Sequence, residues 1–511
     1  MISNTQHTLS KTTYIGLTLI FFIAGIIGVL HHELWLDEAH HWLLARHSFS
    51  LSDLITKTRQ EGHPILWNVL LYGITRFTSN PLWMQLLHVT ITTTAVYVFL
   101  KNAPFNLLFK LLFIFGYYML FEYTLLSRNY SLGILFLFLA CSLYPNRHKK
   151  PIPYFIALAL VANTQGMFLV FSGGLGLLWA IEQWQQHRFK IPRKAWLGLF
   201  ILASGVLLAL VQIIPPEDNA LLHAATRIPF TERISKSLIG LFKGIVQFPD
   251  FSTLNFWNSN FLVNWSKPLS GVLGMASLFI PVFLFAKNRL ILFFVYISIV
   301  VTFIMLYITQ LSAARYHGIF VLIIITALWL EYEHDKRPFT VYRWIPENTL
   351  VTIRNTIIIG IFGLQLISGV TTYALDLARP FTQAKNSIAF LKANQLDKKF
   401  IATRACDGTA LSAYLERPIF FTSYNKYCSY CIWGDPEQVS GRSQEEVLQT
   451  LKRLLLQRGE SIIFIAYQPF FNTDPNWVTT SNGLKYKFLQ SFEESIIRKG
   501  NYYIYEVALS K

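Results

Sequence analysis

Residues 31–64 read HHELWLDEAHHWLLARHSFSLSDLITKTRQEGHP and hold six histidines, two arginines and the adjacent carboxylates Asp37 and Glu38. The stretch directly follows the first apolar run of the chain. Ionisable side chains gathered where a span leaves the bilayer point to chemistry at the lipid–water boundary. One carboxylate of the Asp37-Glu38 pair can act as general base toward an acceptor hydroxyl. Trp35 and Trp42 flank the pair and offer apolar faces that suit sugar rings and the membrane interface alike. A structural reading stands beside the catalytic one and is compatible with it. Asp37 can cap a helix over 38–46, in which Ala39, Trp42 and Leu43 share a face. Gly62-His63-Pro64 closes the stretch, with Pro64 suited to a first helical turn. His63 fits a substrate contact, a metal ligand or a structural hydrogen bond. Asp37, His41 and His63 would supply only part of a three- or four-ligand metal set, so no metal is assigned and a divalent ion is left open.

Two arginines can complete such a site. Arg128 lies in Ser127-Arg128-Asn129-Tyr130 and Arg315 in Ala314-Arg315-Tyr316-His317, each at the mouth of an apolar run. A guanidinium grips phosphate through two parallel hydrogen bonds, which suits a lipid phosphate. Snorkelling to lipid headgroups accounts for such arginines without any substrate.

The elements that must hold these residues are hydrophobic. The chain has 511 residues, 53% hydrophobic and 14% charged, with 42 phenylalanines, whereas soluble domains carry about 25% charged residues. Apolar runs over about 14–31, 82–100, 105–122, 126–144, 151–164, 166–182, 196–214, 269–286, 290–308, 317–331 and 350–372 predict a polytopic α-helical membrane protein of about eleven spans. The first run follows a single Lys11 and lacks a small-residue cleavage site, so it reads as a retained helix. Ile65–Phe77 is too short for a comfortable crossing. Treating it as a juxtamembrane helix places four basic loops, near 147–150, 188–194, 287–289 and 336–343, on one side. By the positive-inside rule that side is cytoplasmic. The loops 31–80 and 215–268 then face out, and Thr231–Phe248 reads as an interfacial helix. The net charge of +16 is thereby explained without a nucleic-acid partner.

Composition changes near residue 375, giving a transmembrane domain over 1–375 and an extracytoplasmic soluble α/β domain over 376–511. Helices are expected at 386–393 and 445–457, and strands at 399–403, 419–423, 461–467, 486–493 and 501–507. Cys406, Cys428 and Cys431 lie in this domain. In an oxidising space Cys406 can pair with Cys428 or Cys431, and no second C-x-x-C completes a zinc site.

Four short motifs, in this order and on one predicted side, resemble the GT-C membrane glycosyltransferases, in particular the protein O-mannosyltransferase, aminoarabinose transferase and RgtA-like group. They are Trp35-Leu36-Asp37-Glu38, Gly62-His63-Pro64-Ile65-Leu66, Arg128-Asn129-Tyr130 and Arg315-Tyr316. The chain departs from the family pattern at Ile65, where a second proline is expected, and at Ser127, where an acid is expected. The resemblance implies transfer of a sugar from a polyprenyl-phosphate donor to a glycan, lipid or protein acceptor on the outer face of the inner (plasma) membrane. It implies Asp37 and Glu38 as catalytic residues, and His63, Arg128, Tyr130, Arg315 and Tyr316 as substrate contacts. Membrane lipids are the remaining partners. The competing class is a transporter or flippase of a lipid-linked or glycan substrate, or a fold that has lost its activity. A transporter would call for mid-span ionisable residues and broken helices. Few mid-span charges are evident, Lys110 being the nearest.

Overall fold

The computed structural model describes residues 9–188, 191–214, 216, 228–334, 346–432 and 442–510. Phe189 and Lys190, the Pro215, Glu217 and Asp218 of the expected outer loop, and the basic run 336–343 lie outside the described residues.

Among the described residues, eight helices are long and apolar enough to cross a membrane: Lys11–His31, Leu82–Asn102, Gly166–Gln185, Arg193–Ile213, Lys267–Leu284, Arg289–Thr309, Ala314–Glu331 and Glu347–Ala378. Several of them turn large apolar side chains outward. On Arg193–Ile213, Phe200 and Leu207 are 70% and 64% exposed. Continuous apolar surface of this kind is stable against lipid and a liability in water.

Three expected spans are shorter than a full crossing. The run 105–122 divides into Leu107–Ile114 and a π-helical turn, Tyr117–Glu122, after a break at Gly116, whose backbone is extended (φ −69°, ψ 162°). The cause is close packing on Glu347–Ala378. A Cβ on Gly369 would lie 2.6 Å from the Gly116 carbonyl carbon, so the two backbones touch. The run 126–144 becomes helical only from Tyr130, and 151–164 yields Pro151–Ala162.

Four helices lead to the candidate site: α1 (Lys11–His31), α2 (Leu36–Arg46), α3 (Leu51–Thr58) and α4 (Leu66–Thr75). The Ser10 hydroxyl caps α1 at the Thr13 amide, 3.1 Å away. α4 has ten residues, about 15 Å at 1.5 Å per residue, half the hydrocarbon thickness. Its Trp67 and Leu71 pack with Trp42 and Leu43 of α2.

The helix expected over Thr231–Phe248 is present as Phe230–Ile245. Its Leu241 and Ile245 are buried in the main helical core. Gly244 lies against the segment that carries Arg315, where a Cβ would stand 2.4 Å from the His317 carbonyl oxygen.

The C-terminal part forms a seven-stranded sheet in the order β3-β2-β1-β4-β7-β6-β5. The strands are β1 (Ile401–Thr403), β2 (Ile419–Phe421), β3 (Lys426–Cys428), β4 (Ile462–Ala466), β5 (Val478–Thr479), β6 (Leu484–Phe492) and β7 (Tyr502–Leu509). β2, β1 and β4 run parallel and the other neighbours antiparallel. Helix Gln444–Arg458 covers one face. Its start is fixed by Ser443 and Glu446, each side chain accepting from the other's amide at 3.2 and 2.7 Å. Helices Ala384–Ala393 and Thr409–Leu415, the second not anticipated from sequence, pack on the other face. That face shares a core with the site-bearing helix: Leu411, Ile463 and Tyr502 join Trp42, Leu43 and Trp67 in one apolar cluster. Of the two expected partners of Cys406, the bond is to Cys431. The Cys428 thiol instead lies 3.3 Å from the Tyr430 carbonyl oxygen.

Candidate active site

The turn between α1 and α2 directs consecutive carboxylates to different tasks. The N-cap of α2 is Trp35 and not Asp37. Glu38, three residues on, accepts the Trp35 amide at 3.2 Å, the place a capping-box acid takes. Asp37 is thereby released from capping, and successive helical side chains point about 100° apart. Its carboxylate projects toward the two arginines of the sequence motifs.

Asp37 Oδ2 lies 2.7 Å from Arg128 Nη1 and 2.9 Å from Arg315 Nη2. Arg128 precedes the helix Tyr130–Leu143, and Arg315 opens Ala314–Glu331, so the three charges come from separate parts of the chain. Both guanidinium groups are buried, while the Asp37 side chain is 13% exposed. Burial works to raise the Asp37 carboxyl, but Arg128 and Arg315 outweigh it and hold it below the usual carboxylate range. Two cations on one anion leave a surplus of positive charge and of donors. Arg128 Nε and Arg315 Nε and Nη1 are buried without a hydrogen-bond acceptor, the condition of a site built for a further anion.

Aromatic rings fix Arg315. The Arg315 guanidinium lies over Trp35 and Tyr316, 5.0 and 4.8 Å from the ring centres. The Tyr123 hydroxyl donates to the Arg315 carbonyl at 2.8 Å. Tyr130 stacks on Tyr123 at 5.4 Å and meets Tyr316 edge-on at 6.2 Å. Asn129 donates to the Thr164 carbonyl at 2.9 Å, anchoring the Arg128 segment to the next helix pair.

Glu38 has no oxygen to spare. Oε1 accepts the Ser127 amide at 2.6 Å and Oε2 faces His32 Nε2 at 3.3 Å as well as the Trp35 amide. It therefore ties the α1–α2 turn to the residue preceding Arg128. His32 in turn pairs with Asp376 of the last long helix. Sequence reasoning missed Asp376, although a lone acid in an apolar helix is itself a signal.

His63 ends up beside the charged cluster. Burial lowers its basicity first, and Arg128 and Arg315 add to this, so it is held down to about 3 and is neutral at physiological pH. His41 is likewise pushed well down by burial and shares a 2.8 Å contact with Asn68 Oδ1. Among the described residues no three His, Cys, Asp or Glu side chains converge as metal ligands. Asp37, His41 and His63 accordingly do not form such a set. Two further groups near the cluster were not singled out from sequence. Glu122 accepts from Trp257 Nε1 at 3.2 Å and from the Tyr117 hydroxyl at 3.1 Å. Glu33 binds the first-turn amide of Lys385 at 2.9 Å, which joins the turn to the sheet unit.

An apolar groove starts at His63. One cavity of about 300 Å³ is lined by Ile55, His63, Ile65, Leu208 and Gln212 among others, and a second of about 380 Å³ shares Ile65, Leu208 and Gln212 with it. The two cavities thus run from His63 along α4 and Arg193–Ile213.

No protein-family model and no curated protein matches the chain. Among solved structures, the chain is similar to ArnT from Cupriavidus metallidurans bound to undecaprenyl phosphate, at 12% sequence identity and a TM-score of 0.43, over 89% of this chain and 93% of that chain. At that identity and score the likeness fixes no residue-level correspondence.

Proposed function

We propose that this chain is a membrane glycosyltransferase that moves a sugar from a polyprenyl-phosphate carrier to an acceptor hydroxyl with inversion, Asp37 serving as general base. The observation that carries the reading is the bridge from Asp37 to Arg128 and Arg315, with spare guanidinium donors buried beside it. A lipid phosphate arriving at these donors competes with Asp37 for the same cations. As the arginines turn to the phosphate, Asp37 loses the charges that depress it and becomes a better base. The acceptor oxygen then attacks the anomeric carbon while the carbon–oxygen bond to phosphate breaks. The electron pair leaves on the phosphate, where the arginines hold the added charge, and the acceptor proton passes to Asp37. Glu38 acts as a positioning residue, because both its oxygens are engaged in holding the turn. His63 lines the cavity and lies within electrostatic range of Arg128 and Arg315, which suits a carrier whose head lies at the arginines and whose tail follows the apolar wall.

The sidedness follows from charge. With the N-terminus in the cytoplasm, the cluster and the sheet unit face out of the cell, where the Cys406–Cys431 bond is at home. The acceptor is a glycan, lipid or protein reached from that side. The test is mass analysis of cell-envelope glycans, glycolipids and glycoproteins from cells that carry the native protein, lack it, or carry Asp37→Asn. A sugar modification present only with the native protein supports the reading. Identical profiles in all three would end it.

A further inference from the structure

Beside the phosphate-facing arginine lies a second set of buried polar atoms that the reaction above does not use. Glu122 ends the π-helical turn Tyr117–Glu122, an irregularity common at functional sites. It is 2% exposed. One oxygen, Oε2, accepts from Trp257 Nε1 and Tyr117, and the other, Oε1, is buried without a donor. Trp257 meets Trp35 edge-on at 4.8 Å, and Arg315 lies over Trp35 at 5.0 Å. Trp35 Nε1 is buried without an acceptor. Glu122 lies within electrostatic range of Arg315 and of Lys243, yet forms no ion pair with either; the Lys243 ammonium is spent on the Asn258 carbonyl at 2.6 Å.

An unused acceptor, Glu122 Oε1, and an unused donor, Trp35 Nε1, therefore lie by two indole rings, one step from the Asp37–Arg315 contact. Buried polar atoms are rarely left unpaired. The missing partner must both donate and accept and must offer an apolar face to tryptophan. A pyranose or furanose ring has these properties. We propose that Glu122, Trp35 and Trp257 form the subsite that binds the sugar of the lipid-linked donor, with Glu122 Oε1 accepting from a ring hydroxyl and Trp35 Nε1 donating to another. This rests on the transferase reading and adds the group that recognises the sugar.

The test separates the sugar from its carrier. Purified full-length protein in lipid nanodiscs is titrated with undecaprenyl phosphate and with undecaprenyl phosphate bearing glucose, mannose, galactose or arabinose, followed by calorimetry. The native protein binds the bare carrier, and at least one sugar-bearing carrier binds more tightly. Glu122→Gln keeps the bare-carrier affinity and loses about ten- to a hundredfold of affinity for the preferred sugar-bearing one. Trp257→Phe, which keeps an aromatic ring beside Trp35 and removes the indole donor that orients Glu122, shows the same selective loss at smaller size and serves if Glu122→Gln fails to fold. If each folded variant binds the sugar-bearing carrier as the native protein does, or weakens both ligands equally, the subsite is wrong while the phosphate site stands. If the native protein binds no carrier at all, the transferase reading fails and the subsite with it.

Discussion

His32 and Asp376 form a fully buried pair 2.9 Å apart, although 344 positions separate them in the chain. The contact fastens the end of α1 to the last long helix. On its other face, 3.3 Å away, His32 meets Glu38, which holds the Ser127 amide next to Arg128. One imidazole between two carboxylates thus sets the distance between Asp37 and its first arginine.

That arrangement predicts alkaline sensitivity. Burial alone would lower the His32 pKa, but the charges of Asp376 and Glu38, with the hydrogen bonds to both, raise it to about 10. A group raised from 6.5 to about 10 on folding stabilises fully below its unfolded value, and that stabilisation is lost as pH rises through about 10. Thermal unfolding of the purified protein between pH 6 and pH 10.5 should therefore show a steady fall in Tm across the upper part of the range. His32→Gln should start lower and respond less to pH. Parallel curves for the two proteins would show that His32 does not carry the effect.

Asp37 makes a second prediction, in which stability and activity separate. Asp37→Asn should abolish transfer, and it should also lower Tm, because two buried guanidinium groups lose their counter-charge; breaking such a pair costs about 3–5 kcal/mol in full burial and less at this partly exposed site. Adding Arg315→Gln should recover Tm without recovering transfer. Because Asp37 is held below the usual carboxylate range in the free protein, its charge persists to lower pH than that of an ordinary carboxylate. The acid limb of kcat/KM should thus not be set by Asp37. Transfer by Asp37→Asn at the native rate would remove the base from the mechanism.

The arginines predict a difference between charge and shape. Arg315→Lys keeps the cation but loses the planar fork and the stacking on Trp35 and Tyr316. KM for the lipid-linked donor should rise about tenfold or more, by loss of a charge-assisted hydrogen bond, while KM for the acceptor stays. Equal effects on both substrates would place Arg315 in general packing and not at the phosphate.

The sequence made part of this legible. Asp37, Arg128 and Arg315 stand out because each sits in a short motif at the predicted outer end of an apolar run, and the three do meet. In the C-terminal part, helical periodicity and short apolar runs showed two of the helices and five of the strands, whereas Thr409–Leu415, Lys426–Cys428 and Val478–Thr479 were not expected. What stayed hidden depended on tertiary contact. Asp37 and Glu38 look equivalent in sequence, and only the position of Trp35 as N-cap makes Glu38 the buttress and Asp37 the free acid. Gly116 looks like a tolerable residue in a span until Gly369 is seen against it. Asp376 and Glu122 gain their meaning from His32 and from Trp257, partners that no local pattern can identify.

Sidedness gives the last prediction. Asn80 is exposed just before Leu82–Asn102, close to the sheet unit, where the Ser79 hydroxyl bonds Glu416. Lys149 is exposed just before Pro151–Ala162 and belongs to one of the basic loops assigned to the cytoplasm. In a background with Cys141 and Cys428 replaced by serine, and the Cys406–Cys431 bond intact, a membrane-impermeant maleimide applied to whole cells should label Asn80→Cys and leave Lys149→Cys unlabelled. Lysis should expose Lys149→Cys. The reverse pattern would put Asp37, both arginines and the sheet on the cytoplasmic side, and a donor presented outside the cell could not reach them.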